Sequence, residues 1–145
     1  MKPKLITKLG RERMQRMIAY LRELPPERFC FGSVIKAGRG CGTIGCVIGH
    51  TPIMFPELVQ YEDNAGDGLR SKGGAPFFEE IGEEVFQVSY VTSEALFTPR
   101  CQYSLGRLGL ALGKMDSNAS PTEVADMLES FLSQVDDIEE PARPA

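Results

Sequence analysis

The sequence predicts a single, mainly helical α+β domain, with about five or six short helices around a central buried broken helix and at most a few short strands. Two observations indicate this fold class. Helical apolar spacing recurs along the chain, and residues 43–55 form the most apolar helix, with almost no polar face. Strand-like patterns are confined to residues 29–36 and 85–92. The predicted globular domain covers residues 1–138, followed by a flexible acidic and proline-containing tail at residues 139–145.

Both ends of this domain are predicted to be helical. The first helix runs from about Thr7, which could cap it, to Leu24. Pro25 and Pro26 end it, because proline cannot donate a backbone hydrogen bond and disfavours helix in the residue before it. The last helix begins at Ser120-Pro121-Thr122-Glu123, which has the pattern of a capping box with proline at the first helical position.

The middle of the chain is predicted to hold a polar, glycine-rich loop at residues 61–75 and a short helix beginning at Pro76. Residues 85–92 alternate apolar and polar side chains, which fits a strand. A turn into a short helix from Ser93 to Phe97 fits nearly as well. Residues 101–114 carry leucines interrupted by glycines and support no single assignment.

The central helix concentrates small and reactive side chains. Gly45 and Gly49 are four residues apart, which removes side chains from one helix face and lets a neighbouring element approach closely. Pro52 interrupts the helix, and Thr51 is predicted to cap one more turn. The break leaves backbone carbonyl groups inside the domain, and donating a hydrogen bond to such a carbonyl is the expected role of His50.

A short motif surrounds the single histidine of the chain. Cys41-Gly42-Thr43, Cys46 and Gly49-His50 follow an aromatic-rich lead-in that starts at Phe29. This arrangement resembles a family of short, uncharacterised proteins of bacteria and their phages with a Cys-Gly-Thr-x-x-Cys-x-x-Gly-(His or Trp) core. The lead-in departs from the family pattern at Cys30-Phe31, where Asp or Asn and then Met usually stand. The resemblance implies an accessory protein of a phage or mobile element, and no particular activity.

Composition predicts a cytoplasmic protein. The hydrophobic and charged fractions, 42% and 25%, are those of ordinary globular chains. No apolar run approaches the roughly 18 residues of a membrane span, and the basic N-terminus lacks the apolar region of a secretory signal. We therefore expect no membrane association and reduced cysteines, which disfavours a disulfide between Cys41 and Cys46. The oligomeric state is not indicated.

The net charge of −4 conceals a division along the chain. Residues 1–40 hold ten of the sixteen Lys and Arg residues and three acids, whereas the remainder holds six bases and seventeen acids. The basic segment could face nucleic acid or an acidic partner. It could instead lie across the acidic remainder of the same chain, and this interpretation is favoured because nucleic-acid-binding domains are usually basic overall.

The cysteines and the histidine allow three interpretations. Cys30, Cys41, Cys46 and His50 have the ligand types of a Cys3His zinc site, although they lack the C-x2-C spacing of zinc knuckles. Cys41 or Cys46 could be a nucleophile with His50 as its base, but no third, orienting residue can be named. Burial statistics favour the plainest alternative, in which these side chains pack in the core.

An anion site is a further possibility at the start of the central helix. The helix N-terminus at Gly42 and Thr43, with Lys36 and Arg39 nearby, could hold a bare anion. The G-x-G-x-x-G pattern at residues 40–45 is typical of dinucleotide sites. The interrupted helix and the shortage of strands argue against a nucleotide here.

The leading hypothesis is a non-enzymatic binding or regulatory protein of phage or mobile-element type, which contacts a host or phage protein. It depends on the charge division, the polar loop at residues 61–75 and the lack of a complete catalytic set. One alternative is a cysteine-dependent enzyme, and another is a zinc-stabilised module that binds nucleic acid through residues 1–40. Glutamates 79, 80, 83 and 84 are expected to form a solvated face that could also engage a basic partner.

Overall fold

The computed structural model describes residues 2–29, 46–62, 66, 68–97, 109–112 and 118–139. The elements in these ranges are β1 (Lys4–Thr7), α1 (Lys8–Glu23), a 3₁₀ turn (Pro26–Arg28), a second 3₁₀ turn (Ile48–His50), α2 (Thr51–Met54), β2 (Val59–Tyr61), β3 (Leu69–Ser71), α3 (Phe78–Phe86), α4 (Tyr90–Phe97), α5 (Pro121–Gln134) and β4 (Asp136–Ile138). The sheets are two small pairs, β1 with β4 and β2 with β3. The fold is therefore α+β and mainly helical, as predicted.

Helix α1 lies within a residue of its predicted position. The hydroxyl of Thr7 caps its start by accepting a hydrogen bond from the backbone nitrogen of Gly10 at 3.1 Å. The backbone becomes extended at Leu24, immediately before the two prolines. The buried face of α1 packs most extensively against α5 and consists mainly of Met14, Met17, Ile18 and Leu21.

Helix α5 carries the predicted capping box. The Ser120 hydroxyl accepts from the backbone nitrogen of Glu123 at 3.1 Å, and the Glu123 carboxylate accepts from the backbone nitrogen of Ser120 at 3.0 Å. Arg22 of α1 reaches Asp126 at 2.8 Å and Glu129 at 2.5 Å on the exposed side of α5. Exposed ion pairs of this kind contribute about 1 kcal/mol or less each, so the apolar faces do most to hold the helices together.

The two ends of the described chain form a parallel strand pair that the sequence does not indicate. Strand β1 pairs with β4 from Lys4 opposite Asp136 to Thr7 opposite Ile138. Asp136 also donates its backbone N–H to the carbonyl of Pro3 at 2.9 Å. The segment Asp-Asp-Ile has poor intrinsic strand propensity, so its conformation depends on the neighbouring strand.

The predicted loop at residues 61–75 overlaps an antiparallel hairpin, since β3 lies inside it and β2 ends at its first residue, Tyr61, so the loop prediction is wrong at these strand residues. Strands β2 and β3 pair with Val59 opposite Ser71 and Tyr61 opposite Leu69. Glu84 of α3 accepts from the Ser71 hydroxyl at 2.9 Å and from the backbone nitrogen of Gly73 at 3.3 Å. Strands of three residues are too short to show periodicity, which is why the hairpin was missed.

Residues 85–92 do not form the predicted strand. Helix α3 continues to Phe86, where Gln87 adopts a left-handed conformation with φ of 52° and ends it. Helix α4 then starts at Tyr90, three residues earlier than the alternative prediction of a helix from Ser93. The apparent alternation arises because Phe86 ends α3, Val88 lies in the connection and Tyr90 begins α4.

Most of the described part of the central segment, residues 46–55, is buried, as predicted, although Ile53 is 42% exposed, and residues 43–45 lie outside the described part of the chain. In place of the predicted break at Pro52, the segment changes from a 3₁₀ turn to an α-helix at Thr51. The 3₁₀ turn Ile48–His50 continues directly into α2. Thr51 does not act as the predicted cap, because its hydroxyl donates to the carbonyl of Ile48 at 2.6 Å. Pro52 lies in the first turn of α2, where a missing N–H costs little.

None of the described helices is long and apolar enough to span a bilayer.

Helices α1 and α3 approach each other closely at Gly10. A Cβ atom added to Gly10 would lie 1.9 Å from the carbonyl oxygen of Phe86, a separation that no real Cβ contact shows. The obstructing atom belongs to the backbone, so it cannot rotate away. This contact fixes the start of α1 against the end of α3.

We predict that Gly10→Ala lowers the free energy of unfolding by about 1–3 kcal/mol, because the two helices must move apart. This predicted change is the net loss, after the gain of roughly 1 kcal/mol in helix propensity that alanine brings over glycine. Urea denaturation followed by circular dichroism measures the change. Gln15→Ala, at an exposed position of the same helix, is the control and should alter stability by less than about 0.5 kcal/mol. An unchanged or raised stability of Gly10→Ala would show that the close approach is wrong.

Candidate functional site

Arg11 of α1 is bound to the C-terminal end of α5. Its guanidinium group donates to the carbonyl oxygens of Leu132 at 2.8 Å and Val135 at 2.7 Å, and to the carboxylate of Asp137 at 2.6 Å. The last carbonyl groups of a helix have no partner within the helix, and they attract cations. No basic residue lies in the last turn of α5, so Arg11 supplies the missing donor from another helix.

Two further arginines of α1 also contact other parts of the chain. Arg13 donates to the carbonyl of Val85, in the last turn of α3, at 3.0 Å. The guanidinium carbon of Arg16 lies 4.9 Å from the centroid of the Phe55 ring, a cation–π contact. With Arg11 and Arg22, four of the basic residues in positions 1–40 contact other parts of the same chain. These contacts support the intrachain interpretation of the charge division and weaken the nucleic-acid alternative.

His50 is fully buried and forms hydrogen bonds through both ring nitrogens. Nε2 lies 2.8 Å from the carbonyl oxygen of Arg28, and Nδ1 lies 2.8 Å from the hydroxyl oxygen of Tyr20. A carbonyl can only accept, so Nε2 carries a proton, and in a ring with a single proton Nδ1 then accepts from the Tyr20 hydroxyl. The predicted donation to a carbonyl is confirmed, but the acceptor belongs to the first 3₁₀ turn and not to the break in the central helix.

The surroundings of His50 are aromatic. The centroid of the Tyr20 ring lies 5.5 Å from the centroid of the imidazole ring. The Phe29 ring stacks on the imidazole, with 6.3 Å between the two centroids. Burial raises the pKa of the Tyr20 hydroxyl, while the charge of Arg28 acts in the opposite direction. Tyr20 therefore keeps its proton at neutral pH and remains a donor to His50. The arrangement ties α1, the first 3₁₀ turn and the second 3₁₀ turn together.

This geometry bears on the cysteine-dependent enzyme. The side chain of Cys46 is buried. The backbone carbonyl of Cys46 accepts a hydrogen bond from the backbone nitrogen of His50 at 3.2 Å. Both imidazole nitrogens have partners, so His50 would have to release Tyr20 or Arg28 before it could accept a proton from a thiol. Cys41, the other candidate nucleophile, lies outside the described residues. The structure thus gives His50 a structural role.

The zinc and anion predictions fall mostly on residues outside the described ranges. Cys30 and Cys41 are among them, so the proposed ligand set with Cys46 and His50 stays a prediction. Among the residues that the structure does describe, no three His, Cys, Asp or Glu side chains are grouped to hold a metal ion. The anion site also lies outside the described residues, with all of its members Lys36, Arg39, Gly42 and Thr43.

The sequence assigns a structural role to Gly45, Gly49 and Pro52, and the structure describes Gly49 and Pro52. Gly49 and Pro52 are buried, and the carbonyl of Gly49 accepts from the hydroxyl of Tyr61 at 3.1 Å. Gly45 lies outside the described part of the chain, so the groove predicted between Gly45 and Gly49 remains a prediction.

Exposed hydrophobic side chains lie just before α3, at Phe77, and at the start of α4, at Tyr90 and Val91. Phe77 is 50% exposed, Tyr90 is 44% exposed and Val91 is 57% exposed. Phe77 and Tyr90 share a shallow depression, which is also lined by Phe78, Glu79 and Glu80. We call this depression, together with its neighbours Glu83, Val91 and Glu94, the acidic aromatic surface; its residues are Phe77, Phe78, Glu79, Glu80, Glu83, Tyr90, Val91 and Glu94.

The charges of the carboxylates in this surface all act on the hydroxyl group of Tyr90. Glu79 has the largest effect in raising the pKa of the Tyr90 hydroxyl, followed by partial desolvation and the charges of Glu94, Glu80 and Glu83. The ion pairs found within the described residues are made by Arg11, Arg22 and Arg70, and none of them reaches Glu80, Glu83 or Glu94. The surface is therefore both apolar and negative.

Sequence reasoning identified only part of this surface. The glutamates were expected to be solvated, with a basic partner as an alternative, but Glu84 instead holds the β-hairpin. The sequence does not predict the exposed rings. The alternation at residues 85–92 places Tyr90 in a strand, and no pattern indicates that Phe77 is exposed. Glutamates in the first turn of a helix interact favourably with the helix dipole, which accounts for Glu79 and Glu80 without invoking a second protein. It does not explain the exposed rings beside them.

Comparisons with protein-family models, with curated proteins and with solved structures gave no match to this chain.

We predict that Tyr20→Phe lowers the free energy of unfolding by about 1–2 kcal/mol, because Nδ1 of buried His50 loses its donor. Thermal and urea denaturation measure this loss. Tyr90→Phe is the matched control, since it removes a hydroxyl from an exposed ring and should cost less than about 0.5 kcal/mol. Equal stabilities for the two variants would contradict the assigned hydrogen bond.

Proposed function

We propose that this protein is a non-enzymatic binding or regulatory module that contacts a partner protein through the acidic aromatic surface. The observation that carries the proposal is the depression shared by Phe77 and Tyr90, which are 50% and 44% exposed, with Val91, 57% exposed, next to Tyr90 in the chain. Burying such side chains against a partner is favourable by roughly 25 cal/mol per Å² of apolar area. Grouped exposed apolar residues on a folded domain are typical of contact sites.

The distribution of the other exposed hydrophobic residues supports this choice of surface. Within the described ranges these are Leu9 on α1, Ile53 on α2, Tyr61 on β2 and Ile138 on β4, one on each element. Single exposed hydrophobic residues are ordinary on protein surfaces. The acidic aromatic surface differs because it combines two exposed aromatic rings, Phe77 and Tyr90, with the exposed β-branched residue Val91. Aromatic side chains are also enriched among the residues that dominate binding energy.

The rings are presented by a well-packed support. Ile81, Val85 and Phe86 on the inner face of α3 are fully buried. The Phe86 ring lies 5.3 Å from the Phe97 ring of α4, so an aromatic contact joins the inner faces of the two helices. Side chains held on packed helices lose less conformational entropy on binding than side chains on a loop. The support therefore favours recognition of a partner by a preformed surface.

The resemblance to short bacterial and phage proteins suggests where the partner belongs. On that basis we propose a host or phage protein as the partner, in keeping with a phage or mobile-element origin and a cytoplasmic location. The contacts of His50 with Tyr20 and Arg28 favour this module over the cysteine-dependent enzyme. The contacts of the α1 arginines favour it over the nucleic-acid-binding module.

Site-specific photo-crosslinking tests the proposal. A photoreactive phenylalanine analogue placed at Val91 should crosslink to a discrete partner protein in bacterial cells that express the chain. The same analogue at Ile53, which is 42% exposed on α2, is the matched control and should give little or no adduct. Adding Tyr90→Ser to the Val91 variant should reduce the adduct several-fold, because it removes an aromatic contact. Equal adducts at both positions, or none at Val91, would contradict the proposal.

A further inference from the structure

We propose that the acidic aromatic surface receives a cationic segment of its partner, in which an arginine side chain lies against the Tyr90 and Phe77 rings while neighbouring carboxylates pair with it. This inference rests on the proposed function, because it names the chemistry of the occupant of the same surface. It is carried by the coincidence of two exposed aromatic rings and four carboxylates on two packed helices.

Charge complementarity selects the sign of the occupant. Glu79 and Glu80 line the depression together with the Tyr90 ring, and the charges of Glu83 and Glu94 also act on the Tyr90 hydroxyl. An apolar occupant without charge would bury some of these carboxylates without compensation, which is costly. A cationic occupant would gain from them, and the same field would attract it during approach.

The rings favour arginine over a simple ammonium group. A planar guanidinium can stack on an aromatic face and still donate to carboxylates at its edge, whereas lysine presents a compact, strongly hydrated charge. Stacking on an exposed ring is worth roughly 0.5–1 kcal/mol, and a bidentate carboxylate pair adds geometric selectivity. This protein already contains one such stack, since Arg16 lies over the Phe55 ring.

Other occupants fit the surface less well. A nucleic acid or an anionic lipid headgroup would be repelled by the four carboxylates. A second copy of this chain, docked through the same surface on both partners, would bring the two sets of carboxylates face to face, because a two-fold interface is self-complementary. Like charges placed opposite each other oppose that arrangement.

Titration with three matched peptides tests the occupant. The first is (Arg-Ser-Leu)₃, and in the other two glutamine or glutamate replaces every arginine. Binding is followed by nuclear magnetic resonance of the full-length protein in low salt. We expect the arginine peptide to shift the resonances of Phe77, Tyr90 and Val91, and the binding to weaken several-fold as salt rises from about 50 to 300 mM. The glutamine and glutamate peptides should shift them little or not at all.

Charge-neutral variants locate the effect. Glu80→Gln with Glu83→Gln should weaken binding of the arginine peptide about fivefold, the sum of two exposed charge pairs. Glu12→Gln with Glu57→Gln removes the same charge from exposed positions elsewhere and should change binding less than twofold. The arginine peptide should also lower the pKa of the Tyr90 hydroxyl, because it offsets the carboxylates that raise this pKa.

The outcomes separate this inference from the proposed function. If the glutamine peptide binds as well as the arginine peptide, the cationic occupant is wrong, whereas a contact surface at Val91 still stands. If no peptide moves the three resonances at 1 mM, the inference is overturned, and the crosslink at Val91 alone decides the proposed function. A concentration-dependent dimer that Tyr90→Ser abolishes would overturn the inference in favour of a second copy of the chain.

Discussion

The arrangement of this protein depends on the unpartnered carbonyl groups at the C-terminal ends of α3 and α5. Neither helix has a basic residue in its own last turn. Helix α1 supplies the donors, with Arg11 bound to the end of α5 and Arg13 bound to the end of α3. Because the two arginines are two residues apart on one rigid helix, they set the positions of both helix ends relative to each other.

These contacts connect the scaffold with the proposed binding surface. Helix α3 is held at its end by Arg13 and by the close approach of Gly10, and Thr7, which caps α1, also hydrogen-bonds to Gln87. The other end of α3 carries Phe77 and the first glutamates of the acidic aromatic surface. A partner that contacts this surface would therefore meet an element fixed to the core. The same account explains why basic residues near the N-terminus need not bind nucleic acid.

The sequence carries local signals more clearly than tertiary ones. The capping box at Ser120, the Thr7 cap and the apolar face of α1 are short-range patterns, and each was predicted. The β1–β4 pair depends on segments more than a hundred residues apart, and strands of four and three residues are too short to show periodicity. His50 was expected to bind a carbonyl, but only the folded chain brings Arg28 and Tyr20 to it. The exposure of Phe77 and Tyr90 likewise depends on how α3 packs on α4.

The most direct test of the central claim compares Arg11→Met with Asp137→Asn by urea denaturation. Methionine keeps most of the aliphatic stem of Arg11 but removes its hydrogen bonds to Leu132, Val135 and Asp137. The account predicts that Arg11→Met lowers the free energy of unfolding by about 2–3 kcal/mol, since two helix-end carbonyls lose a charged donor. Asp137→Asn should cost less than about 1 kcal/mol, because it weakens only the partly exposed ion pair. Equal losses for the two variants would contradict the claim that the helix-end carbonyls are what Arg11 stabilises.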